Sequence, residues 1–356
     1  MISYAIVFLL CSFGIYLDDF KKKYSNSFFI ILFCYLLILI GLRFEIGGDW
    51  INYLQNFKAI NNSIFNYDTK NDFGILFKTE PVLLILNLIT PNIYIFNLAC
   101  ALIFLLGLFI LISDCDDKYL SLVVAIPFLI LLVAFGYQKQ SVTLGFIMLS
   151  YIFYIRNYYF YFVIFALLAC FSHYSASFIL IFIFYDLIIV KKLKINFKTL
   201  MFIVVVFFIF LIISFDNIYR ILINNYIVDE FKNKSQGVLP RLSVQIISII
   251  IFLISYKFWN KRSELKRIII FNTILTLIVL PFFVLYSNLV DRMLFYFMII
   301  QLMILGNLKN ILNKNFYLIF RFTIYTFYLL LTFLWFNFSY FAAYWFPYKN
   351  ILFPIS

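Results

Sequence analysis

Charged side chains are scarce in this chain: Asp, Glu, Lys and Arg make up 12% of its 356 residues. A soluble domain carries about twice that share, roughly a quarter. Apolar residues make up 65%, and the mean hydropathy is +1.02. This composition excludes an ordinary soluble enzyme and predicts an all-α fold, a polytopic bundle of transmembrane helices.

Metal-binding and nucleotide-binding signals are also missing from the sequence. The chain has one histidine, His173, and five cysteines, none of which forms a CxxC pair. A zinc site, a haem site or a disulfide framework is therefore not expected. Neither a GxxxxGK[ST] loop nor a GxGxxG motif is present, so nucleotide-driven transport has no support. The sequence predicts no cofactor.

Long apolar runs dominate what remains, and a membrane span needs about 20 apolar residues. We expect about 12 spans (range 10–13) in a single integral-membrane domain, 1–356. They lie near 2–17, 27–42, 92–113, 119–135, 139–155, 158–173, 174–190, 199–215, 241–256, 267–286, 292–308 and 316–340. Two longer connections are expected, a loop at 43–91 and a second at 215–240. Within the first, Pro81 to Ile89 is too short to span and predicts a short re-entrant or interfacial helix.

Basic residues are distributed unevenly between the two sets of connections. Of the 28 Lys and Arg residues, 17 lie in or beside the odd-numbered connections, which leaves 11 elsewhere. The positive-inside rule makes the first set cytoplasmic. The loops at 43–91 and 215–240 then face outward, together with both chain ends.

The segment GLRFEIGGDWINY, at 41–53, combines charges, two glycines and a tryptophan at one membrane exit. Charges at a membrane edge are costly to desolvate unless they are paired or hydrated, so such a cluster indicates a site. The paired glycines would let the backbone approach a ligand closely. The alternative is a polar turn in which Trp50 anchors the interface.

Four cations stand at outer ends of spans, against the topological bias: Arg43, Lys139, Arg241 and Arg292. Together they indicate an anionic ligand, although each alone could reach lipid phosphates or pair with a local carboxylate. Candidate general bases are Asp49, Glu80 and His173, and each also has a structural interpretation. The sequence leaves open which of the three would act.

Several of these residues form an ordered set that is similar to the EpsG family, which belongs with the Wzy-type O-antigen and capsule polymerases. The set is Arg43, Gly47-x-Asp49, Tyr53, Glu80-Pro81, Lys139-Gln140-Ser141, the FSHYSAS segment around His173, and Asp291-Arg292 with Tyr296. Two positions depart from the family pattern. Lys139 stands where an Arg is usual, and Trp50 stands where a Tyr is usual.

The resemblance implies an integral-membrane glycosyltransferase of the bacterial inner membrane, with its active site facing the periplasm. Its substrates would be polyprenyl-diphosphate-linked oligosaccharide repeat units, joined into the O-antigen chains of lipopolysaccharide or into capsule chains. Substrate-binding roles would fall to Arg43, Lys139, Gln140, Arg241, Arg292, Trp50, Tyr53 and Tyr296. A chain-length regulator and a flippase would be partner proteins, with no role for nucleic acid.

Three other functions remain open at this point. A flippase or exporter of the same lipid-linked oligosaccharide should carry charges through the full depth of the membrane, and mid-span charges are few. A ligase-like glycosyltransferase would share the outward cations and the base. An acyltransferase would want a histidine near the cytoplasmic side, whereas the positive-inside rule places His173 outside.

Overall fold

A computed structural model describes residues 2–65, 80–186, 235 and 237–352. All regular elements in these ranges are helical. The α-helices are α1 (Ile2–Phe20), α2 (Lys22–Gly41), α3 (Trp50–Phe65), α4 (Pro81–Ile89), α5 (Ile93–Ser113), α6 (Lys118–Ala125), α7 (Gln138–Ile155), α8 (Tyr159–Ser172), α9 (Phe178–Ile183), α10 (Val238–Ile254), α11 (Ser263–Val279), α12 (Ser287–Phe297), α13 (Ile299–Leu305) and α14 (Lys314–Phe338). A π-helix, Ile126–Ala134, continues α6, and short 3₁₀ segments include Tyr174–Ser177 and Tyr340–Trp345.

The expected count of about 12 membrane spans is not confirmed. Among the described residues, five helices are long and apolar enough to cross a membrane, or six if the bent pair α12–α13 is one span. Most of the other predicted runs do form helices, but short ones. Helix α8, for example, has 14 residues, about 21 Å of helix, against a hydrocarbon core of about 30 Å. The predicted span at 199–215 and most of the loop at 215–240 lie outside the described residues.

Close helix packing forms the centre of the molecule around α5, which lies against α2 and α7. Gly107 on α5 and Gly145 on α7 face each other so closely that a Cβ on either would overlap the backbone of the other helix. Small residues allow this approach, which maximises van der Waals contact where no hydrophobic driving force exists between helices in lipid. Helix α8 packs on the far side of α7.

A chain of buried polar side chains crosses the second half of the bundle. The Tyr328 hydroxyl donates to Gln301 (2.9 Å), Gln301 Nε2 donates to Gln245 (2.8 Å), and Gln245 Nε2 donates to the Phe297 carbonyl (3.1 Å). That carbonyl lies at the 42° bend between α12 and α13. The network therefore ties α10, α13 and α14 to the bend.

The connections between helices lie at two ends of the bundle, and these ends differ in their chemistry. At one end lie the connections at 18–26, 114–118, 156–158, 256–262 and 306–314. They are linked by exposed or half-buried ion pairs such as Arg156–Asp114 (3.0 Å) and Arg262–Asp116 (2.7 Å). At the other end lie the connections near 43–50, 90–93, 135–138, 173 and 284–287, and here the sequence-predicted site residues concentrate.

Residues 43–91 contain more helix than a loop prediction suggests. Helix α4 begins at Pro81, in agreement with the predicted short helix, with Glu80 immediately before it. Helix α3 was not predicted. Its signal is the spacing of Trp50, Leu54, Phe57 and Ile60, which recur every three or four residues and pack inward.

Candidate active site

A cavity of about 660 Å³ opens at the end of the bundle where the site residues lie. Eight residues singled out from the sequence line it: Asp49, Tyr53, Lys139, Gln140, His173, Arg241, Asp291 and Arg292. They come from α3 and the turn before it, α7, the turn after α8, α10 and α12. The fold thus brings together residues that are up to 243 positions apart in the sequence.

Glu80 lies behind two of the cavity residues and holds both. Its Oε2 is 2.8 Å from Lys139 Nζ, and its Oε1 is 3.2 Å from His173 Nδ1. Only 4% of Glu80 is exposed. Burial alone would raise the pKa of this carboxyl, but the hydrogen bond from His173 and the nearby charges outweigh it and lower the pKa to about 2. Glu80 is therefore an ionised carboxylate that accepts hydrogen bonds.

This arrangement fixes the chemistry of His173. An ionised carboxylate can only accept, so Nδ1 of the imidazole carries the proton that is donated to Glu80. A neutral His173 then has an unprotonated Nε2, which can take a proton from a substrate hydroxyl. The turn that holds the ring is local: the His173 amide donates to Ala169 at the end of α8, and a 3₁₀ segment follows.

The backbone conformation of Gly47 lets the turn that carries Asp49 pack against the chain at Phe135 and Gly136, beside the cavity. Its φ is +98°, and a Cβ there would come within 2.8 Å of the Phe135 carbonyl oxygen and 2.9 Å of Gly136 Cα. The sequence predicted that the glycines let a backbone approach a ligand, whereas Gly47 approaches the protein's own chain just before α7. Burial raises the pKa of Asp49, and the charges of Arg292 and Lys139 oppose that shift.

Arg241 is held by a carboxylate and by an aromatic ring. Its Nε donates to the Gly237 carbonyl (3.0 Å) and lies 2.8 Å from Asp291 Oδ1, while its guanidinium carbon is 4.6 Å from the Phe295 ring centroid. Asp291 also accepts from the Ser235 hydroxyl (2.8 Å). Arg241 therefore lines the cavity from a fixed position.

The first turn of α7 supplies polar groups with unused hydrogen-bonding capacity. Gln140 is 5% exposed and lines the cavity, and its side-chain oxygen has no partner among the described residues. An unpartnered acceptor of this kind costs about 1–3 kcal/mol unless a ligand or water donates to it. Gln140 is therefore suited to accept a hydrogen bond from a ligand hydroxyl.

Most of the remaining lining is apolar, and the larger part of it comes from two regions of the chain. The π-helix contributes Pro127, Phe128, Leu131 and Leu132, and the end of α14 with the following 3₁₀ segment contributes Leu331, Leu334, Trp335, Phe338, Phe341 and Trp345. Wide turns in a π-helix frequently mark functional positions. The sequence indicated the charged lining residues together with Gln140 and Tyr53, but it gave no sign of this apolar part, because aromatics are abundant throughout the chain.

Three residues expected to bind substrate do not line the cavity. Arg43 is 2% exposed and donates from Nη1 to the Ile40 carbonyl (2.7 Å), and burial lowers its pKa to about 10. Trp50 is buried with its ring 6.1 Å from that of Phe44. Tyr296 is buried, and its hydroxyl lies 2.9 Å from Ser175 Oγ. In this structure all three support the surrounding helices rather than face the cavity.

The cavity lining includes three cations, two carboxylates and an imidazole, with Glu80 behind them. In the described part of the chain, no group of three or more His, Cys, Asp or Glu side chains is placed to hold a metal ion. The site offers an imidazole that a carboxylate orients, cations that suit an anionic group, and an amide oxygen that can accept from a hydroxyl. These are the parts that transfer of a group away from a phosphate requires.

Comparison with known proteins gives one match. No significant match is found among curated proteins or among solved structures. The EpsG family model matches residues 26–350, nearly the whole chain, and EpsG family members are Wzy-like polymerases. The matched range contains every residue of the cavity described above. The chain is a multi-pass membrane protein of the EpsG family.

Proposed function

We propose that this protein polymerises polyprenyl-diphosphate-linked oligosaccharide repeat units into O-antigen or capsule chains on the outer face of the bacterial inner membrane. The observation that carries the proposal is one cavity that His173, held from behind by Glu80, lines together with Lys139, Arg241 and Arg292. The first pair suits a hydroxyl that must lose a proton. The cations suit a diphosphate that must leave.

In the proposed reaction, an acceptor sugar hydroxyl of one repeat unit attacks C1 of the sugar linked to the diphosphate of the growing chain. The new bond forms between the acceptor oxygen and C1, and the bond from C1 to the phosphate oxygen breaks. The diphosphate leaves with the electron pair, and His173 Nε2 takes the hydroxyl proton. Glu80 stabilises the imidazolium that results, and Lys139, Arg241 and Arg292 stabilise the charge on the leaving group.

Asp49 is the alternative base, because it lines the same cavity and burial raises its pKa. Glu80 is the weakest of the three candidates, since a carboxyl whose pKa is about 2 has little affinity for a proton. We therefore assign the proton transfer to His173 and the orienting role to Glu80.

The test is to express variants in a strain that lacks this protein and to measure polysaccharide chain length at matched membrane levels. His173→Ala should lower the polymerisation rate by about 10²–10⁴-fold, the usual contribution of a general base. Glu80→Gln should also lower it, because the amide cannot stabilise an imidazolium. The matched control is Glu45→Gln, which changes an exposed carboxylate of the same 43–91 segment that pairs with Lys349.

Three outcomes would contradict the proposal. Normal long chains in the deletion strain would remove the polymerase function. Loss of every surface repeat unit, single ones included, would indicate a flippase. Full-length polymer from both His173→Ala and Asp49→Asn would mean that neither residue is the base.

A further inference from the structure

The charged residues occupy only part of the cavity, and its apolar lining extends well away from them. Along α14, lining residues run from Leu331 to Phe338 and on to Ser339. Eight residues of helix correspond to about 12 Å, a substantial part of the roughly 30 Å hydrocarbon core. A free sugar or an inorganic anion is polar and would gain no binding energy from contact with this apolar surface.

Part of this apolar lining is also exposed. Leu334 is 40% exposed and Phe338 is 79% exposed, and Phe341 beyond them is also exposed. Large exposed apolar side chains on a membrane helix lie against lipid. The cavity can therefore receive an apolar chain sideways from the bilayer.

The opposite wall is held in place by a tryptophan. Trp345 is buried, its Nε1 donates to the Leu131 carbonyl of the π-helix (2.7 Å), and its ring lies 5.2 Å from that of Trp335 on α14. A Cβ on Gly136 would meet the Trp345 ring. Trp345 thus fixes the π-helix and α14 on either side of the apolar part of the cavity.

We infer that the gap between the π-helix and the end of α14 is a lateral groove that binds the isoprenoid chain of a lipid diphosphate. The inference rests on the proposed function, because the same cavity must hold the diphosphate beside Lys139, Arg241 and Arg292. A membrane phospholipid has an apolar chain but only one phosphodiester charge, which engages three cations less well. The isoprenoid diphosphate is therefore the occupant that matches both parts of the cavity.

Two adjacent leucines on α14 allow a matched test. Leu331 lines the cavity, whereas Leu330 does not and is exposed on the outer side of the helix. Leu331→Trp should fill the groove, and Leu330→Trp adds the same bulk on the lipid side. The measurement is binding to purified full-length protein in nanodiscs, by displacement of radiolabelled undecaprenyl diphosphate.

Leu331→Trp should weaken binding of undecaprenyl diphosphate by at least about tenfold, since overfilling an apolar site excludes its ligand. Inorganic diphosphate should bind this variant as it binds the unaltered protein, and Leu330→Trp should bind both ligands normally. The groove is refuted if Leu331→Trp leaves undecaprenyl diphosphate binding unchanged, or if both ligands weaken equally. Equal displacement by phosphatidylglycerol would assign the groove to membrane lipid instead and would also overturn the inference.

Failure of the groove and failure of the polymerase can be told apart. If His173→Ala abolishes polymer but Leu331→Trp supports normal polymer and binding, the function stands and the groove is wrong. If undecaprenyl diphosphate binding depends on Leu331 but the deletion strain still makes long chains, the groove stands and the polymerase function is wrong.

Discussion

Replacing Gly47 by alanine tests how the Asp49 turn is held against the start of α7. A side chain at φ +98° costs about 1–3 kcal/mol. The added Cβ would also overlap two backbone atoms, the Phe135 carbonyl oxygen at 2.8 Å and Gly136 Cα at 2.9 Å, which adds about 1–3 kcal/mol. Alanine also lowers the conformational entropy of the unfolded chain, which stabilises the folded state by about 0.4–1 kcal/mol and offsets part of this cost. We expect a net loss of about 2–5 kcal/mol, or relaxation that moves Asp49 away from Lys139.

Gly48 is the matched control for this substitution. It lies next in the chain, and a Cβ built on it meets only the edge of the Tyr344 ring, at 4.0 Å. Gly48→Ala should therefore be neutral or slightly stabilising. The assay is thermal unfolding of purified protein in detergent, together with polymer length in the deletion strain. If the two variants unfold at the same temperature and make the same polymer, the close approach of Gly47 to α7 does not hold the site.

Three further predictions concern Glu80, the buried network and the orientation. The pKa of Glu80 is lowered from 4.5 to about 2, so its stabilisation, about 3 kcal/mol, should be complete above pH 4.5 and lost as the pH falls toward 2. Glu80→Gln should flatten the unfolding free energy across that interval, and an unchanged slope would contradict the assignment. Gln301→Leu leaves the Gln245 side-chain oxygen without its donor and should cost about 1–3 kcal/mol in unfolding experiments, with no cost if the network is unimportant. A cysteine at Asn56 should react with a membrane-impermeant thiol reagent in intact spheroplasts and one at Lys257 only after lysis, whereas the reverse pattern would invert the orientation.

The sequence predicted the membrane class and the helices well where a physical rule applied directly. Long apolar runs gave the spans near α2, α5 and α14, and Pro81 gave the start of α4. The number of spans could not be obtained in this way, because a run such as α8 is apolar enough for lipid but too short to cross it as a straight helix.

The site was partly predictable for a related reason. Position at the predicted outer end of a span identified Lys139, Arg241 and Arg292, but it could not give the direction in which each side chain points. Arg43 satisfies the same rule, yet its side chain is buried inside the protein. The backbone at Arg43 pairs with the backbone at Asn350 in an antiparallel bridge. Rotation of a helix depends on its tertiary neighbours, and a single sequence contains little information on those.

The pairing of Glu80 with His173 was also beyond the sequence. The two residues are 93 positions apart, and each was considered separately as a base. Only the packing of α4 against α8 makes one the partner of the other. The apolar groove was missed because Phe and Tyr together account for 76 of the 356 residues, so the aromatics at its edge did not stand out.

The segment at 340–351 closes the site from far away in the chain. The Gly47 amide donates to the Tyr344 carbonyl, and the Ile351 amide donates to the Leu42 carbonyl. The ribosome adds about 5–20 residues per second, and roughly 300 residues separate the 42–49 turn from these partners. The partners are therefore made about 15–60 s after the turn. The helices can enter the membrane during that time while the cavity is still open on one side. A ribosome that stalls before residue 340 would thus leave a membrane-inserted chain whose 42–49 turn lacks these hydrogen-bond partners.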